Sequence, residues 1–340
     1  MMYRGHTIGV VVPAYNEEGF VGEVIETVPD YVDRVYVIDD ASTDNTWAEI
    51  QTHTATTEAI TTVPDGGVGT GSRVVPIHHE QNKGVGGSIV TGYRRALSDE
   101  VDVVAVMNGD GQMDPDRLPD LLDPIVEDRA DYAKGNRLIR ADHRAPMGRW
   151  RLFGNVLLSG LTKIASGYWK IADPQNGYTA ISSDALETLS LSALYTDYGF
   201  CNDMLIRLNA NGMRVADVTM PAIYGDEESS IRYSSFVPGL SWLLLRRFLW
   251  RLWTRYAVRD AHPFALLYVI GASILGTGVA LVVATLTATL WNGGRTDSTD
   301  DSSAISGPFL TVLGTVTLVL AMVIEAEYNA ELEVRIDVDE

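Results

Sequence analysis

The sequence predicts an α/β chain: a mainly parallel sheet flanked by helices, followed by an amphipathic interface helix and two transmembrane helices. Three observations carry this reading. Strand-length apolar runs alternate with helix-like segments, carboxylates and small residues gather where those runs end, and two long uncharged runs lie near the C-terminus.

The alternation pairs residues 8–13 with 19–28, 34–39 with 46–53, 74–77 with 86–97, and 101–107 with 117–127. Successive βαβ units of this kind make a parallel sheet covered on both faces. Ligands of such sheets bind beyond the carboxyl ends of the strands. Those ends carry Pro13-Ala14-Tyr15, Asp39-Asp40 and Asn108-Gly109-Asp110. Residues 52–73, rich in Thr and Gly, read as a solvated loop. Beyond Arg137 the alternation weakens, and a helix over 149–166 leads into "IADPQNGYTAIS", assigned to an acceptor half.

Residues 264–292 and 302–324 contain no charged side chain, and each run exceeds the roughly 20 residues a helix needs to cross a bilayer. Before them, "PGLSWLLLRRFLWRLWTRYAVR" sets Trp242, Phe248, Trp250 and Trp253 among Arg246, Arg247, Arg251, Arg255 and Arg259, a composition suited to the headgroup layer. Arginines before the first span, against Asp297, Asp300 and Asp301 between the spans, predict a cytoplasmic catalytic part, with the acidic tail returning to the same side. No signal-peptide pattern opens the sequence. The domains expected are thus 1–236, divided at 138 into two halves, then an interface helix over 237–262, a hairpin over 263–325 and an acidic tail over 326–340.

The formal net charge is −19 and lysine is confined to Lys83, Lys134, Lys163 and Lys170. Such a surface is screened in concentrated salt, which predicts a halophilic source, and it argues against a nucleic-acid partner. The single Cys201 makes no internal disulfide, as in a reducing compartment.

Four segments carry chemistry. "VVPAYNEEGFV" and "VIDDASTDNT" place turns and carboxylates after the first two strands, where Asp39 or Asp40 suits a base N–H or a ribose hydroxyl. "NKGVGGSIVTGYRRAL" is a glycine-rich approach to a helix whose N–H groups suit phosphate; Gly86 and Gly87 equally suit close helix-to-sheet packing. It lacks the P-loop and dinucleotide patterns. "MNGDGQMDP" offers Asp110 with the carboxamide oxygens of Asn108 and Gln112 to a hard divalent cation, or forms an acidic turn around Gly111. His78-His79 finds no third ligand for zinc and reads as a strand end. Farther on, "GNRLIRADHRAPMGRWR" gathers Arg137, Arg140, Arg144, Arg149 and Arg151 against the acidic trend.

Taken together, Pro13-Ala14-Tyr15-Asn16-Glu17, Asp39-Asp40-Ala41-Ser42-Thr43-Asp44-Asn45-Thr46 and Asn108-Gly109-Asp110-Gly111-Gln112, with "KGNRL", "DPQNGYTA", "GFCNDML" and "YGDEESSIRYSSF", resemble the family-2 glycosyltransferases of GT-A fold over residues 7–236. The later half looks most like the branch that makes dolichyl- or polyprenyl-phosphate sugars. The resemblance implies a nucleotide-sugar site of Pro13, Tyr15, Glu17, Asp39, Asp40, Lys83, Gly84, Asn108 and Gly109. It implies Mg²⁺ or Mn²⁺ on Asn108, Asp110 and Gln112, and an acceptor site of Arg137, Arg149, Arg151, Asp173, Gln175 and Arg232. Asp110, Arg137, Arg151 and Asp203 form the implied catalytic set. Asn108 departs from the family's usual Asp.

The reaction so implied moves a hexose with inversion from a UDP-glucose or GDP-mannose type donor to dolichyl phosphate at the cytoplasmic face of the cell membrane, for protein N-glycosylation. A phosphate monoester with a second pKa of about 6 is already anionic, so no strong base is required; the barrier is leaving-group expulsion and the approach of two anions. Transfer to a lipid hydroxyl or a polysaccharide, and an inactive nucleotide-sugar-binding membrane protein, are the alternatives. The QxxRW motif of processive synthases is absent.

Overall fold

The computed structural model describes residues 2–61, 72–138, 149–221, 233–291 and 300–337. The chain divides into two compact units, residues 1–248 with 331–340, and residues 249–330.

The first unit is built on one eight-stranded sheet in the order β3-β2-β1-β4-β6-β5-β7-β8. Strands β1 (Ile8–Ala14), β2 (Arg34–Asp39), β3 (Val74–His78) and β4 (Val103–Val106) are parallel. Strand β6 (Thr179–Ser182) runs antiparallel to β4 and to β5 (Tyr132–Asn136), beyond which β7 (Val215–Thr219) and β8 (Glu333–Ile336) continue parallel to β5. The mostly parallel sheet with covering helices is the fold class expected from the sequence.

The β-branched runs of β1, β2 and β4 are buried because both faces are covered. Alternate residues of β1 feed two cores. Val10 and Val12 pack toward α1 (Val21–Thr27), α2 (Thr46–Thr61) and α4 (Leu118–Val126), whereas Val11 packs toward α3 (Val85–Ser98). Leu118, Leu121, Leu122 and Ile125 form the helical stripe that seats α4. A Cβ on Gly92 would lie 2.4 Å from Val11 Cγ1, so the close helix-to-sheet contact expected at Gly86 and Gly87 falls on Gly92 instead.

Two expectations change. Helix α2 continues to Thr61, so the segment read as a loop from residue 52 is helical for its first ten positions; residues 62–71 lie outside the described ones. Its threonines fit because Thr52 and Thr54 return their hydroxyls to the carbonyls of Ala48 and Ile50. The expected acidic tail is not free either. Val334 and Ile336 face the core, Glu333 is buried, and β8 pairs with β7 over four residues.

Helix α5 (Arg149–Ser166) lies between β5 and β6 in sequence, α6 (Ser183–Thr188) and α7 (Phe200–Ala210) between β6 and β7, and α8 (Tyr233–Arg251) follows β7. Helix α8 leaves Trp242, Leu245 and Leu249 exposed, and Trp253 is exposed in the π-helical turn Leu252–Arg259.

In the second unit, α9 (Ala265–Trp291) and α10 (Asp300–Tyr328) are long and apolar enough to cross a membrane. They pack through glycines seven residues apart: Gly271 and Gly278 against Leu318 and Thr311, and Gly307 and Gly314 against Val282 and Leu275. Small residues at this spacing let two backbones approach along one seam. Arg251 and Glu325 form a fully buried ion pair, completed by Tyr268 at 2.5 Å from the Glu325 carboxylate. Arg255 pairs with Asp260. These arginines, expected at lipid headgroups, are engaged within the protein.

Candidate active site

The carboxyl ends of β1, β2 and β3 lie side by side, with Ala14 in register with Asp39 and Asp39 with His78. Two consecutive aspartates there meet two consecutive histidines. His78 Nδ1 lies 2.6 Å from Asp39 Oδ2, and His79 Nδ1 lies 2.7 Å from Asp40 Oδ1. Because neighbouring strand residues point to opposite faces, the two pairs diverge. The Asp39 pair reaches Trp47, whose ring lies 5.0 Å from that of His78. The Asp40 pair is buried toward α3, where His79 Nε2 lies 2.9 Å from Thr91 Oγ1 and the Lys83 amide donates to Asp40 Oδ1 at 2.9 Å. Reading the histidines as a strand end captured their place, and the paired aspartates supply the role that reading missed.

The two carboxylates differ in what remains open. Asp39 Oδ1 also accepts from the Ser42 amide at 3.3 Å, so both its oxygens have partners. Asp40 Oδ2 has none among the described residues.

The loops after β1 and β2 interlock. Asn16, at φ 58°, accepts the Thr43 amide through its side chain at 2.8 Å and gives its own amide to Ser42 Oγ at 3.0 Å. The Glu17 amide donates to Thr46 Oγ1 at 2.8 Å, fixing Glu17 before α1. Pro13 is buried and its carbonyl accepts from Gly109 at 3.1 Å, while Tyr15 is exposed at the edge. Gly109 has no room for a side chain without crowding Ala14 and the Pro13 carbonyl.

At the start of α3, Gly84 has φ 77°, and a Cβ there would meet the Thr196 carbonyl at 2.5 Å. The Gly87 amide donates to that same carbonyl at 3.1 Å. This glycine-rich turn therefore receives the 195–196 loop, and its Gly87 N–H is occupied. Lys83 is exposed beside it.

The loop after β4 brings Asn108, Asp110 and Gln112 to the same edge. The Gln112 amide donates to Asp110 Oδ1 at 3.0 Å across Gly111, which has φ 69°. Burial raises the Asp110 carboxyl above its ordinary range, against hydrogen bonds from Gln112 and Asn108 and the field of Arg137. The "DPQNGY" segment seats on this loop: Gly177 leaves its would-be Cβ position 3.4 Å from Asn108 Oδ1, and Tyr178 donates its hydroxyl to the Asp114 carbonyl at 2.9 Å.

Arg137 follows β5 and is forked by Asp173, Nε to Oδ2 at 2.7 Å and the second contact at 3.1 Å. Its own amide donates to the same carboxylate. Burial opposes ionisation of Asp173, but Arg137 and Lys134 hold its carboxyl below the ordinary range. Asp173 was expected to bind the acceptor; here it is buried and holds Arg137. Gln175 donates to Asn202 at 2.6 Å, and Asn202 to Thr162 at 2.7 Å, tying the segment to α7 and α5.

Asp203 follows Asn202 on α7. It is fully buried, paired with Arg207 at 3.0 Å and Arg247 at 2.7 Å, and accepts the Tyr195 amide. The carboxylate and its two arginines hold the 193–195 loop, whose Ala193 carbonyl accepts from Arg207 and Arg247. The side chains of Arg149 and Arg151, and residues Arg140, Arg144 and Arg232, lie outside the described residues.

Comparison with known proteins agrees with this arrangement. The model of the family described as "Glycosyl transferase family 2" matches residues 9–190. The UDP-N-acetylglucosamine–dolichyl-phosphate N-acetylglucosaminyltransferase of Methanococcus voltae is 31% identical over 64% of this chain and 86% of its own. The undecaprenyl-phosphate mannosyltransferase of Micrococcus luteus is 28% identical over 61% and 80%, and the polyprenol monophosphomannose synthase of Mycolicibacterium smegmatis 30% identical over 65% and 78%. With its strand-end motifs gathered on one sheet edge, the chain belongs to glycosyl transferase family 2 and is a glycosyltransferase.

Proposed function

We propose that this enzyme transfers a sugar from a nucleoside diphosphate donor to a polyprenyl phosphate of the dolichyl type, at the cytoplasmic face of a membrane. The observation that carries the proposal is the Arg137–Asp173 fork, a cation fixed close enough to Asp110 to act on its charge. Two anions must meet in such a reaction, and a guanidinium held in place lowers the cost of their approach. The names of the three relatives, each of which acts on a lipid phosphate, support the acceptor class. The apolar hairpin and the exposed Trp242, Leu245, Leu249 and Trp253 support delivery of that acceptor from a bilayer.

Asp40 is the reader of the base. Its Oδ1 is fixed by His79 and Lys83, and Oδ2 is left to accept an N–H. Among the described residues no three His, Cys, Asp or Glu side chains gather around a metal position. One carboxylate and two carboxamides, Asp110 with Asn108 and Gln112, are nevertheless hard oxygen donors that suit Mg²⁺ or Mn²⁺ once a diphosphate adds its own oxygens. Bound there, the ion would stabilise charge on the departing nucleoside diphosphate. The acceptor brings its own anionic oxygen, which agrees with a site whose buried carboxylates serve other groups. The strongly acidic composition supports operation in concentrated salt.

Membranes holding the full chain, in high salt with Mg²⁺ or Mn²⁺, are to be incubated with dolichyl phosphate and labelled UDP-N-acetylglucosamine, UDP-glucose or GDP-mannose. One donor is expected to label the lipid phosphate, with chelator or Asp110→Ala abolishing the label. Label on a neutral glycolipid instead would overturn the acceptor, and bound nucleotide with no product would overturn catalysis.

A further inference from the structure

The backbone between α5 and β6 runs without regular structure, yet the amides of residues 169–172 and the carbonyls of Ala172 and Asp173 meet charged side chains. The amides of Trp169, Lys170 and Ile171 are directed at the Glu333 carboxylate. The Ala172 amide faces Asp217 Oδ2 at 3.4 Å. The carbonyls of Ala172 and Asp173 accept from Lys134 Nζ at 3.0 and 2.6 Å, and that ammonium, fully buried, also meets the Gly135 carbonyl at 3.0 Å. The segment ends at Asp173, whose φ of 47° is a conformation a non-glycine residue holds only when its surroundings enforce it. Asp173 in turn forks Arg137.

Glu333 belongs to β8, which follows the apolar hairpin in sequence and is held on β7 by parallel pairing and by Thr219 Oγ1 donating to Asp337 at 3.1 Å. The amides of residues 169–171 thus go to an anion supplied from β8, and the carbonyls of Ala172 and Asp173 to a cation supplied from β5. We propose that Glu333 and Lys134 are a pair of positioning residues that clamp the 169–173 segment from opposite sides and so set the Arg137 guanidinium against the acceptor phosphate. The assignment rests on the reading of Arg137 given under Proposed function. It makes β8 part of the acceptor site's support.

Steady-state kinetics of the full chain with a polyprenyl phosphate, alongside calorimetric titration with UDP and GDP, test this. Glu333→Gln keeps the shape and removes the charge, Lys134→Met removes the cation, and Val334→Ala loosens β8 without touching the clamp. Displacing a positioning group by about 1 Å costs up to about 100-fold. Glu333→Gln and Lys134→Met are therefore expected to raise the acceptor KM by about tenfold or more, with the nucleotide Kd within about twofold of wild type. Val334→Ala should lower the Tm with little change in either constant. If Arg137→Lys raises the acceptor KM and Glu333→Gln does not, the clamp is wrong and the reading of Arg137 stands. An acceptor KM indifferent to Arg137→Lys overturns both, and equal movement of KM and Kd in Glu333→Gln reduces Glu333 to general stability.

Discussion

Asp39 and Asp40 are adjacent, both buried, and each carries a histidine, yet their chemistry diverges at single atoms. Asp40→Asn should weaken UDP or GDP binding by about tenfold or more, since a charge-assisted hydrogen bond is roughly twice as strong as a neutral one, while leaving the Tm close to wild type. Asp39→Asn should show the reverse pattern: a lower Tm from a disturbed buried pair and a smaller change in Kd. Titration calorimetry and thermal unfolding of the same preparations separate the two, and equal loss of affinity would remove the distinction. A second residue-scale prediction concerns pH. Burial pushes the Asp217 carboxyl up to about 6. With the native value raised above the ordinary one near 4, the folded state holds a proton that the unfolded chain has lost, so this group's contribution to stability falls as pH rises from about 4 to about 6. Asp217→Asn should gain on wild type across that window by on the order of 3 kcal/mol at most. A difference in stability that stays constant from pH 4 to 7 would remove Asp217 as the titrating group.

Among elements, β1, β2 and β4 were legible because burial on both faces demands β-branched runs that stand out in one dimension. The site motifs were legible for the related reason that they follow directly on those strands. Strand β5, "YAKGN", hides its character because Lys134 and Asn136 are recruited to polar contacts inside the protein. Strand β8, "EVRI", was masked by the charges around it, and its partner β7 lies more than 100 positions away, across the hairpin, where no local pattern points. The Glu333 clamp was invisible for the same reason. Glycine shows the limit in a smaller way: the sequence marked Gly86 and Gly87 for the sheet contact, but only the three-dimensional approach of α3 to β1 singles out Gly92. Gly92→Ala trades a better helix propensity of about 1 kcal/mol against an overpacking cost of typically 1–3 kcal/mol, because Val11 Cγ1 stands 2.4 Å from the new Cβ. It should lower the Tm, and Val11→Ala in the same chain should restore part of the loss, a non-additivity expected of touching residues. Simple additivity of the two changes would place the strain elsewhere.

For the whole molecule, the pairing of β8 constrains how the two apolar helices can cross a bilayer. The chain leaves the first unit after Phe248 and rejoins its sheet from Glu331, so the intervening helices must begin and end on one side of any bilayer they cross. Two spans satisfy this, and a single span would tear β8 from β7. Between the two apolar helices the sequence carries Asp297, Asp300 and Asp301 against Arg295, whereas arginines precede the first, a distribution that supports the proposed cytoplasmic side for the catalytic unit. In a Cys201→Ser background, Asp337→Cys should react with an impermeant thiol reagent only when the cytoplasmic face is opened, and Thr296→Cys should react from outside in intact cells. Labelling of both positions from one face would mean that the apolar helices do not span. Labelling at Asp337 from outside and at Thr296 only after opening would keep the hairpin but invert the enzyme, placing its nucleotide edge away from the cytosolic donor pool.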